Sequence, residues 1–188
     1  MEAYHISGGR PLRGEIAIHG AKNSVLPILA ATVAVSGRCT LTNCPAISDV
    51  ETALEILRHL GCEAERCDAT VTVDSTGASR FDIPCCLMRR MRAAVIFLGA
   101  LLARFGKAAI TLPGGCVLGA RPIDLHLAGL RRMGAQIEER GEQIICELPA
   151  PAPCTIALGF PSVGATENLL LAAPVSYTHL RAHETKAN

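Results

Sequence analysis

The sequence predicts an α/β fold with helices at its centre. Three observations carry this: a repeat of about 73 residues, two helices apolar nearly all round, and a pair of alternating strands after each amphipathic helix. The first copy runs Asp49-Val-Glu-Thr-Ala-Leu-Glu-Ile-Leu-Arg-His-Leu-Gly61, and the second runs Pro122-Ile-Asp-Leu-His-Leu-Ala-Gly-Leu-Arg-Arg-Met-Gly134. In the first, Ala53, Ile56, Leu57 and Leu60 recur at i, i+3, i+4, i+7; in the second, Ile123, Leu127, Leu130 and Met133 share one face. Such spacing marks an amphipathic helix, and the closing glycines suit a left-handed C-terminus. Thr70–Val73 and Gln143–Cys146 then alternate as half-buried hairpin strands do.

An apolar helix precedes each copy. Ser24–Val35 leads through Gly37 to a strand at Cys39–Thr42, and Ala93–Ala103 leads through Gly106 to a strand at 108–112. Neither helix has a polar face, so both are expected to be buried. The unit is therefore buried helix, strand, amphipathic helix, hairpin. A third copy begins at Ser162-Val-Gly-Ala-Thr-Glu-Asn-Leu-Leu-Leu-Ala-Ala173 and is cut off within its first helix.

Composition bounds the function. The 188 residues are 49% hydrophobic and 19% charged, which excludes disorder. Lys plus Arg total 18 against 17 Asp plus Glu, so bulk charge recruits neither nucleic acid nor a membrane surface. With no Trp and 3% aromatics, stacking platforms for single strands are not expected. Nine cysteines include no CxxC, no zinc-finger spacing and only one close pair, Cys85-Cys86. Most are expected to be buried small hydrophobes in a reducing cytoplasm, and no metal site is expected. Met1–Gly9 has no signal-peptide pattern, and the longest apolar run, Ala93–Ala103, is too short for a bilayer, which needs about 20 residues.

From Pro174 the chain reads PVSYTHLRAHETKAN, and apolar periodicity stops. Val175–Thr185 resembles the read-through of a transposon-type adapter, so residues 174–188 are expected to be a non-native tail, His179 and His183 included. Without the tail's Arg181, Glu184 and Lys186 the remainder is neutral, and any anion-binding character is local.

Three segments carry candidate chemistry. Gly20-Ala-Lys22-Asn23 stands before the first buried helix, where a lysine opposes the helix dipole unless it shares an anion with the free amides. Arg89-Arg90-Met91-Arg92 occupies the same place before the second. Leu112-Pro-Gly-Gly-Cys-Val-Leu-Gly-Ala-Arg-Pro-Ile-Asp124 is a strand exit, a glycine-rich loop and a helix start, with Cys116 at its tip. A thiol so placed is a nucleophile or proton donor, and Arg121 can hold a phosphate bidentately. The GxxxxGK[ST] spacing of a P-loop is absent.

GAKN at 20–23, MRA at 91–93, LPGGCVLGARPIDLH at 112–126 and SVGAT at 162–166, in that order, closely resemble the bacterial UDP-N-acetylglucosamine 1-carboxyvinyltransferases. The resemblance runs from Tyr4 to about Ala173. It implies an enolpyruvyl-transferase-like inside-out α/β barrel of such repeated units, here incomplete. It implies transfer of the enolpyruvyl group of phosphoenolpyruvate to the 3-hydroxyl of UDP-N-acetylglucosamine, releasing phosphate. That is the first committed step of peptidoglycan synthesis, with no metal or redox cofactor. By the same resemblance Cys116 is the proton donor to the phosphoenolpyruvate methylene and the residue that fosfomycin-type epoxides alkylate. Lys22 and Asn23 hold phosphoenolpyruvate and the sugar nucleotide, and Arg92 joins the nucleotide or loop contacts. Arg121, Pro122, Ile123, Asp124 and Leu125 lie along the UDP part, and Ser162, Val163 and Gly164 meet its diphosphate end. Position 160 is Phe where some members carry a nucleotide-binding Lys.

The family's chains are a little over twice as long, with the active site between two similar domains. On that pattern residues 1–20 belong with an absent second domain, and residues 21–173 form the first domain with its third repeat truncated. The chain as given is then expected to be inactive, and its first 19 residues to be exposed. Three other readings stand beside this one: a shikimate-pathway enolpyruvyl transferase, which needs no nucleotide site; a non-catalytic nucleotide-binding fragment; and a cysteine-rich redox or metal module, which predicts close Cys clusters. An RNA-cyclase-like binder would need a more basic surface.

Overall fold

The computed structural model describes residues 5, 7–9, 11, 13–111, 123–150 and 153–173. Two copies of one unit follow each other. The first is α1 (Lys22–Val35), β1 (Arg38–Leu41), α2 (Ser48–His59), β2 (Glu63–Cys67) and β3 (Thr70–Asp74). A short helix α3 (Cys85–Arg90) leads to the second, which opens with a 3-10 turn (Arg92–Ile96). It continues as α4 (Phe97–Phe105), β4 (Lys107–Thr111), α5 (Asp124–Arg132), β5 (Gln136–Arg140) and β6 (Gln143–Glu147). Helix α6 (Val163–Ala172) begins a third.

Each unit builds a three-stranded antiparallel sheet with its last strand in the middle, β1-β3-β2 and β4-β6-β5. Registers correspond: Glu63 pairs with Asp74, and Gln136 pairs with Glu147. The repeat reaches the backbone. Gly61 and Gly134 have φ of 97° and 99°, and the hairpin corners Asp68 and Gly141 have φ of 51° and 61°. After each glycine the chain bonds back to its helix, the Cys62 N–H donating to the Leu57 carbonyl and the Ala135 N–H to that of Leu130, both at 3.0 Å. This is the expected left-handed helix ending, with orphan carbonyls satisfied.

Helices α1, α4 and α6 pack on one another, with α2 against α1 and α5 against α6. The buried-helix expectation holds for α4, whose residues Phe97 to Leu102 are all buried. It holds only in part for α1. Ile28 and Val35 are 50% and 58% exposed, because α1 lies at the edge of the trio and no described element covers that stripe. Sequence periodicity also places the start of the second buried helix too simply. Residues 92–96 wind as a 3-10 turn before α4 proper begins. Helix α1 ends on Ser36 in the left-handed conformation (φ 56°), one residue before the expected Gly37.

The cysteine expectation needs a correction. Of those described, Cys44, Cys62 and Cys146 are buried, but Cys67, Cys86 and Cys154 are exposed. Cys67 ends strand β2 at the hairpin corner and Cys86 lies in the short α3, so neither reaches the core. Burial raises the thiol pKa of Cys62 to about 11 and of Cys146 to about 12. Residues 13–19 form no strand, and Ile16 and Ile18 are each 90% exposed.

A close contact joins α4, α5 and α6 around Asn168, which is fully buried. Its carboxamide accepts from the Gly99 N–H at 2.5 Å and donates to the Val95 carbonyl at 3.0 Å. In a regular helix those two backbone groups would pair with each other. The same amide donates to Nδ1 of His126, in α5, at 2.9 Å. The backbones approach so closely that a Cβ on Gly99 would stand 2.1 Å from the Asn168 carbonyl oxygen. On the other side, a Cβ on Gly129 would stand 2.6 Å from Leu169.

Two predictions come from this contact. Gly99→Ala destabilises by about 2 kcal/mol, because the overlap is with backbone that cannot turn aside and outweighs the better helix propensity of alanine. Thermal melting should fall by about 4–8 °C. Gly37→Ala, where a Cβ meets nothing within 4 Å, is the control and leaves the melt unchanged. The second concerns pH. Burial lowers the pKa of His126 below its ordinary value, so the folded imidazole is neutral where the unfolded one takes a proton, near pH 6.5. The unfolded state then binds more protons, and this part of the stability is present above about pH 6.5 and is lost as pH falls below it. Denaturant melts from pH 7.5 to 5 should fall more steeply for the unaltered chain than for His126→Asn, and parallel curves would contradict the assignment.

Candidate functional site

The sequence-predicted residues that the structure describes all lie where a helix begins. Lys22 and Asn23 open α1, Arg92 opens the 3-10 turn, Ile123 to Leu125 open α5, and Ser162 to Gly164 open α6. Helix starts carry unpaired N–H groups and partial positive charge, so this placement suits anions. Cys116, Arg121 and Pro122 lie outside the described residues, as does the segment 174–188.

Ion pairs sort the cations. Arg90 grips Glu55 through both Nη atoms, at 2.5 and 2.8 Å, and Arg89 pairs with Glu142. Hydrogen bonding by these arginines lowers the carboxyl pKa of Glu55 and raises the pKa of each guanidinium. Both pairs are exposed surface bridges of modest energetic weight. Arg92 is half-buried and makes no ion pair among the described residues, so of the Arg89-Arg90-Arg92 cluster it is the cation left available. Lys22 rests 3.1 Å from Asp49, at the first turn of α2, with its side chain still 55% exposed. Asp49 thus relieves the charge of Lys22 at a helix start, and an entering anion would compete with it. Asn23 is exposed, and its carbonyl lacks the usual i+4 donor because position 27 is Pro.

The start of α6 is capped by its own residue. Ser162 Oγ accepts from the Ala165 N–H at 3.3 Å, and Val163 is 74% exposed. Gly164 leaves room for the His126 ring: a Cβ there would stand 3.6 Å from Cε1 and 3.7 Å from Nε2. His126 thereby joins the starts of α5 and α6, and Asn168 joins both to Val95 in the 3-10 turn that Arg92 opens. Three of the four predicted corners are tied into one cluster. In the α5 corner Asp124 is exposed and Leu125 half-buried, whereas the side chain of Ile123 is 7% exposed and belongs to the core.

Sequence reasoning missed Asp49, His126 and Asn168. His126 was within reach, since it falls three residues after Ile123 on the buried face of α5. Asn168 interrupts an apolar run, which is itself a signal. Asp49 gives no sign of its partner until α1 and α2 are packed. No group of three metal-ligating side chains occurs among the described residues, and no helix there is long and apolar enough to cross a membrane.

Known proteins agree with this architecture. Residues 6–187 match the family model of EPSP synthase (3-phosphoshikimate 1-carboxyvinyltransferase). The chain is 47% identical over 176 residues to UDP-N-acetylglucosamine 1-carboxyvinyltransferase 2 of Caldanaerobacter subterraneus, covering 94% of this chain and 42% of that protein. It is 45% identical over 177 residues to the UDP-N-acetylglucosamine 1-carboxyvinyltransferase of Shewanella amazonensis, with the same coverage. The chain therefore spans about two-fifths of the length of the curated relatives it matches. Among solved structures, the enolpyruvyl transferase NikO of Streptomyces tendae superposes with a TM-score of 0.76 at 25% identity, over 90% of this chain and 40% of that one. The EPSP synthase of Acinetobacter baumannii shares the fold, with a TM-score of 0.61 at 19% identity over 87% of this chain and 38% of that one. With its two helix-centred units and the start of a third, the chain belongs to the EPSP synthase (3-phosphoshikimate 1-carboxyvinyltransferase) family, an incomplete α/β barrel of the enolpyruvyl-transferase type.

Proposed function

We propose that the whole protein represented by this chain transfers the enolpyruvyl group of phosphoenolpyruvate to the 3-hydroxyl of UDP-N-acetylglucosamine, releasing phosphate, and so feeds peptidoglycan synthesis. The observation that carries this is identity of 42–47% over 92–94% of the chain to proteins named for that substrate. The chemistry of the corners supports it. A phosphorylated donor and a nucleotide diphosphate need cations and amide donors, and Lys22, Arg92 and the start of α6 are groups of those kinds at helix starts.

In this reading Cys116 protonates the methylene carbon of phosphoenolpyruvate, Lys22 and Asn23 hold the donor, and Arg92 and Arg121 balance phosphate charge. Pro122, Ile123, Asp124 and Leu125 border the nucleotide, with Ile123 acting through its backbone. Ser162, Val163 and Gly164 meet the diphosphate. Residues 1–20 serve as a strand segment of a second domain, which the exposure of Ile16 and Ile18 supports. Residues 21–173 are the first domain, and 174–188 are foreign to it. A chain two-fifths the length of its relatives holds one side of a cleft, so it binds the nucleotide weakly and turns nothing over.

The matching family is named for 3-phosphoshikimate, which favours a second reading in which the acceptor is a phosphorylated shikimate. Heteronuclear NMR titration separates them. UDP-N-acetylglucosamine should shift the amides of Asn23, Ser162, Val163 and Gly164, Lys22→Ala should weaken that binding about tenfold, and 3-phosphoshikimate should shift none of them. Shifts with 3-phosphoshikimate alone would reverse the assignment, and phosphate release by the purified chain would refute its inactivity.

A further inference from the structure

Cys85 and Cys86 are the one pair of adjacent cysteines in the chain, and no part of the proposed reaction falls to them. They open α3, the short helix between the two units. Cys85 is half-buried and Cys86 is exposed. The helix beneath them is firmly held. Leu87 and Met88 are buried, and their N–H groups both donate to the Pro84 carbonyl, at 3.0 and 3.1 Å. Arg90 grips Glu55 of α2, and Arg89 reaches Glu142 at the corner between β5 and β6. Two thiols are therefore presented side by side from a fixed backbone.

The other described cysteines offer no such pair. Cys44, Cys62 and Cys146 are buried, and burial raises the pKa of each thiol. Such thiols stay protonated and inert. Cys67 and Cys154 are exposed and Cys39 is half-buried, each without a cysteine beside it in sequence. A disulfide within the 85–86 pair is disfavoured by the backbone. Consecutive Cα atoms stand about 3.8 Å apart, short of the roughly 4.4–6.8 Å that disulfides usually span. Closing one would pull the first turn of α3 away from its buried anchors. A single thiophilic atom between the sulfurs lengthens the bridge by one bond and leaves the backbone in place.

We propose that Cys85 and Cys86 form a dithiol site for trivalent arsenicals, both sulfurs binding one arsenic atom. With an arsenic oxide R–As=O, two S–H bonds break and two As–S bonds form, and the oxygen leaves with both protons as water. Arsenic stays trivalent and sulfur is not oxidised, so the step needs no further reactant. The second As–S bond forms within a complex already held by the first, at a high effective concentration that a lone thiol cannot match. The site stands independently of the substrate reading above.

Intact-mass spectrometry of the reduced, folded chain tests this. Phenylarsine oxide followed by excess 2-mercaptoethanol should leave one arsenical per chain, because the monothiol strips arsenic held by a single sulfur. The dithiol 2,3-dimercaptopropanol should remove it. Trypsin, cleaving after Arg80 and Arg89, should place the adduct on peptide 81–89, which holds Cys85, Cys86 and no other cysteine. That mapping needs no variant. Cys85→Ser and Cys86→Ser should each weaken retention about a hundredfold, with thermal melts unchanged because both side chains are accessible. Cys67→Ser and Cys116→Ser should retain the adduct as the unaltered chain does. An adduct on another peptide, retention by either the Cys85 or the Cys86 variant, or complete stripping of the unaltered chain by 2-mercaptoethanol overturns the proposal.

Discussion

The arrangement of the second unit and of α6 depends on one buried carboxamide. Asn168 places a donor and an acceptor between Gly99 and Val95, so that α6 is hydrogen-bonded into the start of α4 as well as packed against it. Burying an amide costs free energy unless every polar atom is paired, and no buried side-chain nitrogen or oxygen lacks a partner among the described residues. Only glycine at 99 permits that approach, and glycine at 129 leaves room for the Leu169 side chain on the opposite side. The contact is polar and close, and it fixes orientation in a way that interchangeable aliphatic packing would not.

Around it, the two units share a plan and differ where chemistry is expected. Strand registers, hairpin corners and glycine helix ends repeat, but the helix starts do not. Helix α1 opens on a lysine balanced by Asp49, whereas the second unit opens through a 3-10 turn on an arginine with no such balance among the described residues. The neighbouring Arg89 and Arg90 spend their charge on Glu142 and Glu55. A chain of near-zero net charge thus places Lys22 and Arg92 at helix starts, where helix N–H groups reinforce their charge.

Periodicity made much of the fold legible. Apolar spacing located the repeat's helices and the strands β1, β3, β4 and β6 to within a few residues, because burial on one face is written into the sequence of that face. What it could not supply was partnership across the fold. Asn168 meets Val95 and His126, 73 and 42 positions away, and nothing in an apolar run announces which carbonyl its one amide will meet. The same limit explains the outer stripe of α1 and the exposed cysteines. Apolarity says that a side chain can be buried, and only the arrangement of neighbours says whether it is. At the site the motifs identified helix starts correctly, but the side chains that tie those starts together came from the intervening apolar turns.

Exposed apolar side chains remain on α1 and on α6, the helix that also carries Asn168. Ile28 and Val35 on α1 and Leu170 on α6 are uncovered, each forgoing part of the roughly 1.5–3 kcal/mol that full burial of such a side chain brings. The Asn168 cluster lies among α4, α5 and α6. Its hydrogen bonds have fixed polarity, and its backbones are in contact. Contacts among the described residues hold the start of α6 against the His126 ring.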